Sequence, residues 1–219
     1  PEPALYARAL WVDTGGAGFG QVSAYHRTSA RPDRVARSRL AEGYHRLVGV
    51  AATRLPPTAG AVAKYAGVAG MLLPPAYTTV ARVERFADDL ADATVGEPSR
   101  MLIAIAPAET VAETARELLE VCAEARESGA VGAVALYVKP IRSGYLSGDR
   151  PEQRHAELTL VLTVDPVRLT EDALAKVVDR VDDVAIAHGA LRYLHTRTSA
   201  DPQRRRQLDP NARYTSGGG

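Results

Sequence analysis

Between residues 100 and 197 four apolar runs alternate with two amphipathic stretches, each stopped by a glycine, with no internal sequence repeat. This constrains the fold more than any other feature, because the hydrophobic period switches between strand-like and helix-like at each boundary. Arg100–Ala106 (RMLIAIA) reads as a buried strand ending at Pro107. From Glu109 to Ser128 the residues Val111, Ala115, Leu118, Leu119, Cys122 and Ala125 form one stripe, with the glutamates mostly off it. That spacing predicts a helix, and Gly129 stands where a left-handed cap would stop it. Val131–Val138 reads as a strand ended by Pro140, and a loop over 142–153 leads past His155, read as a loop histidine, to the strand Glu157–Val164 (ELTLVLTV). Thr170 is the expected N-cap of a second helix, with Leu174, Val177, Val178, Val181, Ala185 and His188 on its inner face and Gly189 as its stop. Ala190–His195 closes the pattern as a strand.

The order β-α-β-β-α-β predicts an α+β fold: a ferredoxin-like, split βαβ antiparallel sheet. Right-handed crossovers put both helices on one face and leave the other face free. Ala4–Asp13 and Gly20–Arg27 predict a strand pair joined through the glycines at 15, 16 and 18. The expected organisation is an N-terminal strand pair joining the sheet (1–30), a segment of small helices (31–98), the ferredoxin-like core (99–197), and a C-terminal segment with a disordered glycine tail (198–219), together one compact domain.

Charge and composition exclude several function classes. With 27 Lys+Arg against 26 Asp+Glu the net charge is +1, which offers no electrostatic footprint for nucleic acid. No apolar run approaches the roughly 20 residues a membrane-spanning helix needs. Pro1-Glu2-Pro3 opens no charged-then-apolar leader, and the expected location is cytoplasmic. Cys122 is the single cysteine, so an internal disulfide and a cysteine-rich zinc site are excluded. Neither H-E-x-x-H nor H-x-H occurs, and G-x-S-x-G is absent, so no metal is expected and a hydrolase has little support. Lysine is scarce: Lys64, Lys139 and Lys176 are the only three.

Read in order, several phrases resemble one family. Tyr6-Ala7-Arg8-Ala9-Leu10-Trp11-Val12-Asp13, followed by a glycine-bearing loop and a strand with Gly20, is similar to the opening of the substrate (cap) domain in FAD-linked oxidases of the vanillyl-alcohol-oxidase type. The resemblance is nearest to the decaprenylphosphoryl-ribose oxidase and sugar-lactone oxidase branch. The strand carrying Lys139, the later His188-Gly189-Ala190-Leu191-Arg192-Tyr193, and the ending Arg204-Arg205-Arg206-Gln207-Leu208-Asp209-Pro210 through Tyr214 follow the same order. The family's FAD-binding domain is not matched in this sequence. The glycines at 15 to 20 miss the dinucleotide fingerprint because its third glycine position is Gln21, and the helix that usually precedes the final Asp-Pro motif is expected to be missing.

The resemblance implies a substrate-domain half of an FAD-linked oxidoreductase acting on an alcohol or sugar-like small molecule, with FAD brought by a separate FAD-binding subunit. It implies that Lys139 lies beside the flavin and the substrate, where a cation would stabilise negative charge on the reduced ring. Tyr137 is the second catalytic candidate, and Trp11 and Tyr193 are candidates for binding substrate. Strand alternation places Tyr193, His195 and Arg197 on one face and Arg192 and Leu194 on the other, which makes His195 and Arg197 candidates for binding the cofactor. Two other readings stay open: a stand-alone, cofactor-free cyclase or isomerase of a biosynthetic pathway, and a non-catalytic ligand-binding or dimerising module.

Overall fold

The computed structural model describes residues 6–13, 19–29, 31, 77, 79, 99–129, 131–132, 134–141, 154–163, 170–193 and 196–209. Among these, the strands are β1 (Tyr6–Asp13), β2 (Phe19–Tyr25), β3 (Ser99–Pro107), β4 (Val134–Ile141), β5 (His155–Thr163) and β6 (Leu191–Arg192). The helices are α1 (Val111–Glu127), between β3 and β4, α2 (Glu171–Ala187), between β5 and β6, and α3 (Pro202–Leu208). The expected small helices fall in 31–98 and lie outside the described residues, apart from Arg31, Tyr77 and Thr79.

The fold is α+β around one antiparallel sheet of order β2-β1-β4-β5-β3-β6. β5 is the strand the rest is built on. It pairs with β4 from Val134↔Leu162 to Ile141↔His155 and with β3 from Ser99↔Thr163 to Pro107↔His155. The N-terminal hairpin joins on the far side of β4, from Ala9↔Val138 to Asp13↔Val134.

Side chains alternate between the faces of a strand, so register decides what each face holds. One face carries Leu102, Ala104 and Ala106 of β3, Val134 and Leu136 of β4, and Leu158, Leu160 and Leu162 of β5. Against it lie Leu118, Val121, Cys122 and Ala125 of α1 and Leu174, Val177, Val178, Val181 and Ala185 of α2. Both helices therefore cover the same face. Their ends follow local chemistry. The Thr170 hydroxyl accepts from the Ala173 amide at 3.1 Å, capping α2, and the acidic Glu171 and Asp172 occupy its first turn, where the helix dipole favours them. Gly129 and Gly189 take φ of 75° and 65°, a left-handed turn that strains any residue bearing a Cβ. No helix among the described residues is long and apolar enough to cross a membrane.

Four local expectations need correction. β4 does not end at Pro140 but runs through it, because the β1–β4 ladder stops at Ala9↔Val138, two residues short, and a missing N–H costs little where no partner strand follows. His155 is the first residue of β5 and is buried rather than in a loop, since both neighbouring strands extend far enough to pair with it. The last strand is only Leu191–Arg192: the Thr196 amide turns back to the Tyr193 carbonyl at 2.9 Å, and the chain leaves the sheet. A helix does precede Asp209-Pro210, since α3 starts on Asp201, whose carboxylate caps it by accepting from the Gln203 amide at 2.8 Å.

Leu160 sits at the centre of β5, facing both helices, and is 1% exposed. Leu160→Ala should cost about 2–5 kcal/mol, the sum of lost transfer energy and a cavity that the paired strands cannot close. Equilibrium urea unfolding measures it.

Candidate functional site

The face of the sheet turned away from α1 and α2 carries all the polar side chains that β4 and β5 offer to the interior. Register lays them out in rows. Ala135, Val161 and Met101 form an apolar row; next come Tyr137, Thr159 and Ile103; then Lys139, Glu157 and Ile105; and finally Ile141, His155 and Pro107. Over the four rows from Ala135 to Ile141 the surface thus passes from wholly apolar to hydroxyl, ammonium, carboxylate and imidazole. The helix-covered face of the same two strands is aliphatic throughout.

The expectation that this second face is free requires correction. Ala135 is 0%, Ile105 2%, Val161 5%, His155 6% and Thr159 8% exposed, so its centre is shut off from water. The apolar runs in β3 and β4 explain this, because a strand apolar on both sides belongs to a sheet covered on both sides. Access is left at the margin, where Tyr137, Lys139, Glu157, Ile103 and Tyr193 are half-buried and Met101 is exposed.

Local geometry fixes several of these groups. The Thr159 hydroxyl donates to Glu157 Oε1 at 2.8 Å, which holds the carboxylate against the strand. Lys139 is the direct cross-strand neighbour of Glu157, and on a shared face such opposite charges favour each other. Tyr193 lies one residue past β6, and its amide donates to the Ile103 carbonyl at 3.1 Å. It therefore continues the row Tyr137–Thr159–Ile103 across the sheet. Three strand spacings separate Tyr137 from Tyr193, roughly 14 Å. The row offers hydrogen-bond donors and acceptors beside a lysine and a glutamate set opposite each other across the strands, an arrangement suited to orienting a polar organic molecule. Among the described residues no group of three or more His, Cys, Asp or Glu side chains could hold a metal ion.

The structure thus brings Tyr137, Lys139 and Tyr193 to one face. Trp11 does not join them: it pairs with Leu136 and Gly20, which places it on the helix side of the sheet, 38% exposed. Arg197 does not either. With the strand ended at Arg192, alternation no longer applies, and the Arg197 guanidinium donates to Glu171 at 2.7 Å on the exposed N-terminus of α2. His195 lies outside the described residues.

One constellation escaped the sequence reading. Arg192 is on the helix-covered face beside Ala104, and its Nη1 donates to Asp182 Oδ1 of α2 at 2.7 Å, both side chains 0% exposed. The Asp182 Oδ2 accepts from the Ser199 amide at 2.7 Å, and Arg192 Nη2 donates to the Arg197 carbonyl at 2.7 Å. Burial pushes the Asp182 carboxyl above its ordinary range, although Arg192 and the Ser199 amide pull it down, and burial likewise lowers Arg192. A signal was present: Asp182 stands four residues after Val178 on the inner stripe of α2, where a lone carboxylate needs a cation.

No protein-family model matches the chain, and a search of curated proteins returns no match.

The Lys139–Glu157 register gives a direct check. Lys139→Glu and Glu157→Lys should each lower stability by about 0.2–1 kcal/mol, and the double reversal should recover most of it. Urea unfolding of the four proteins reads the coupling; a double variant as unstable as the two losses combined would show that the charges do not interact.

Proposed function

We propose that this chain is the substrate-domain half of an FAD-linked oxidoreductase acting on an alcohol or sugar-like small molecule, with the flavin held mainly by a separate FAD-binding polypeptide in the cytoplasm. The observation that carries the reading is the half-buried cluster of Tyr137, Lys139 and Glu157, from two adjacent rows on the face away from the helices. The order β4-β5-β3-β6, with α1 leading from β3 to β4 and α2 from β5 to β6, supports a ferredoxin-like core. This is the core that the resemblance to oxidase cap domains implies.

The residues present fit such a group at one place only. The closed centre of the face leaves no room for a flat ring over Ala135 and Val161, and the Tyr137 hydroxyl is buried with it, whereas Lys139 and Glu157 are half-buried. There Lys139 would supply positive charge toward the cofactor, Tyr137, whose hydroxyl is buried, would back the substrate from the closed side, and Tyr193 would bound the site at its far end. When bound, the flavin supplies the hydride-accepting chemistry. Glu157 moderates the charge of Lys139 and keeps it on the strand.

The closed centre also favours a second reading, a stand-alone cofactor-free cyclase or isomerase, in which a face shut off from water positions a substrate. Absorbance separates the two. The isolated chain should be colourless and should acquire a flavin spectrum only when co-purified with an FAD-binding chain. In that complex Lys139→Ala should fold normally and slow flavin reduction about tenfold or more, the loss of ~1.4 kcal/mol of transition-state stabilisation. Turnover by the colourless chain alone would select the second reading, and unchanged flavin reduction would remove Lys139 from the site.

A further inference from the structure

The Asp182–Arg192 pair is out of proportion to any structural need visible around it. Two charges without solvent exposure are expensive to desolvate, and an apolar pair of similar volume often serves stability as well. Both groups are shifted toward their neutral forms, the mark of a burial cost that their attraction does not fully repay. Arg192 Nε, moreover, finds no partner among the described residues. What an apolar pair could not do is hydrogen-bond backbone outside regular structure. The carboxylate takes the Ser199 amide, and the guanidinium takes the Arg197 carbonyl. At the other end of the same segment the Thr196 hydroxyl donates to the Tyr193 carbonyl at 2.7 Å and accepts from the Ile103 amide at 3.4 Å. Tyr193 and Ser199 are thus tied at both ends to strands and helix by directional bonds.

We infer that Arg192 and Asp182 are positioning residues, whose buried pair holds the segment from Tyr193 to Ser199 and thereby sets Tyr193 beside Ile103 on the second face. The service to catalysis rests on the reading of Tyr193 as part of the site; the positioning itself does not. With the fork of Arg192 engaged, Arg197 and, through Asp182, Ser199 are anchored to the helix-covered side, and Tyr193 has one place to stand.

Amide hydrogen exchange followed by NMR tests this without flavin or partner, so failure of the oxidoreductase reading would appear in the absorbance experiment and not here. In an Asp182→Leu/Arg192→Met double variant, exchange at Tyr193, Thr196 and Ser199 should rise at least tenfold. The amides of β5 should keep their rates, and the Tyr193 ring resonances should move. Arg192→Lys provides a milder case should the double variant not fold: one ammonium cannot serve both Asp182 and the Arg197 carbonyl, so Thr196 should lose protection while Ser199, bonded to Asp182, retains it. Unchanged exchange at these amides, or a rise shared equally by β5, would overturn the proposal, because it would make the pair either idle or a plain contributor to global stability.

Discussion

Leu158, Leu160 and Leu162 face one way from β5 while His155, Glu157 and Thr159 face the other, and most of the molecule's organisation follows from that alternation. Because β5 is hydrogen-bonded on both sides, it cannot slip by one residue without turning three leucines out of the helix-covered core and three polar groups into it. The register of β3 and β4 is thereby pinned from the centre outward. The helices then need only a stripe of their own to dock, and the polar row on the second face is fixed as a by-product of the apolar one on the first.

How far this could be read from the chain depends on the range of the interactions involved. The two helices, their glycine stops and the Thr170 cap were legible because each is written within a few neighbouring residues. Strand existence was legible for β3, β4 and β5 from their apolar runs. Strand ends were not, because Pro140 and His155 look like punctuation locally and are overruled by how far the partner strands extend. Lys139, Tyr137 and Tyr193 do share a face. Trp11 falls on the other face, which nothing local tells, since the side of β1 that meets β4 is set by the pairing, and Arg197 leaves the expected alternation because the last strand is cut short by bonds from Thr196. Asp182 and Arg192 are ten positions apart, and only the packing of α2 over β6 makes them partners.

Polarity is distributed asymmetrically for a reason that links fold to site. The ammonium of Lys139 and the carboxylate of Glu157 are half-buried, while the Thr159 and Tyr137 hydroxyls and the His155 ring lie with alanine, valine and isoleucine in the closed part of the second face. Buried polar atoms are tolerable only where partners meet them, and here the Thr159–Glu157 bond and the cross-strand neighbour Lys139 supply part of that. The surface salt bridges follow a different logic. Arg204 reaches Asp179 and Asp183 at 3.2 and 2.9 Å and Arg116 reaches Glu120 at 2.6 Å, contacts that contribute little each in water but orient α3 on α2 and steady the outer side of α1.

The halves of the core are near-twins: α1 and α2 are both 17 residues long, and each is followed at the second position by a left-handed glycine. Such likeness invites a topological error in which one helix settles in the berth of the other, within a chain or exchanged between two chains. Aligning Gly129 with Gly189 sets Cys122 opposite Asp182, a neutral thiol against a charge. A swapped α2 would carry its carboxylate away from Arg192 into aliphatic surroundings, whereas α1 in the same berth would leave the guanidinium stranded. The ion pair thus works as a key that only one of two similar helices can turn.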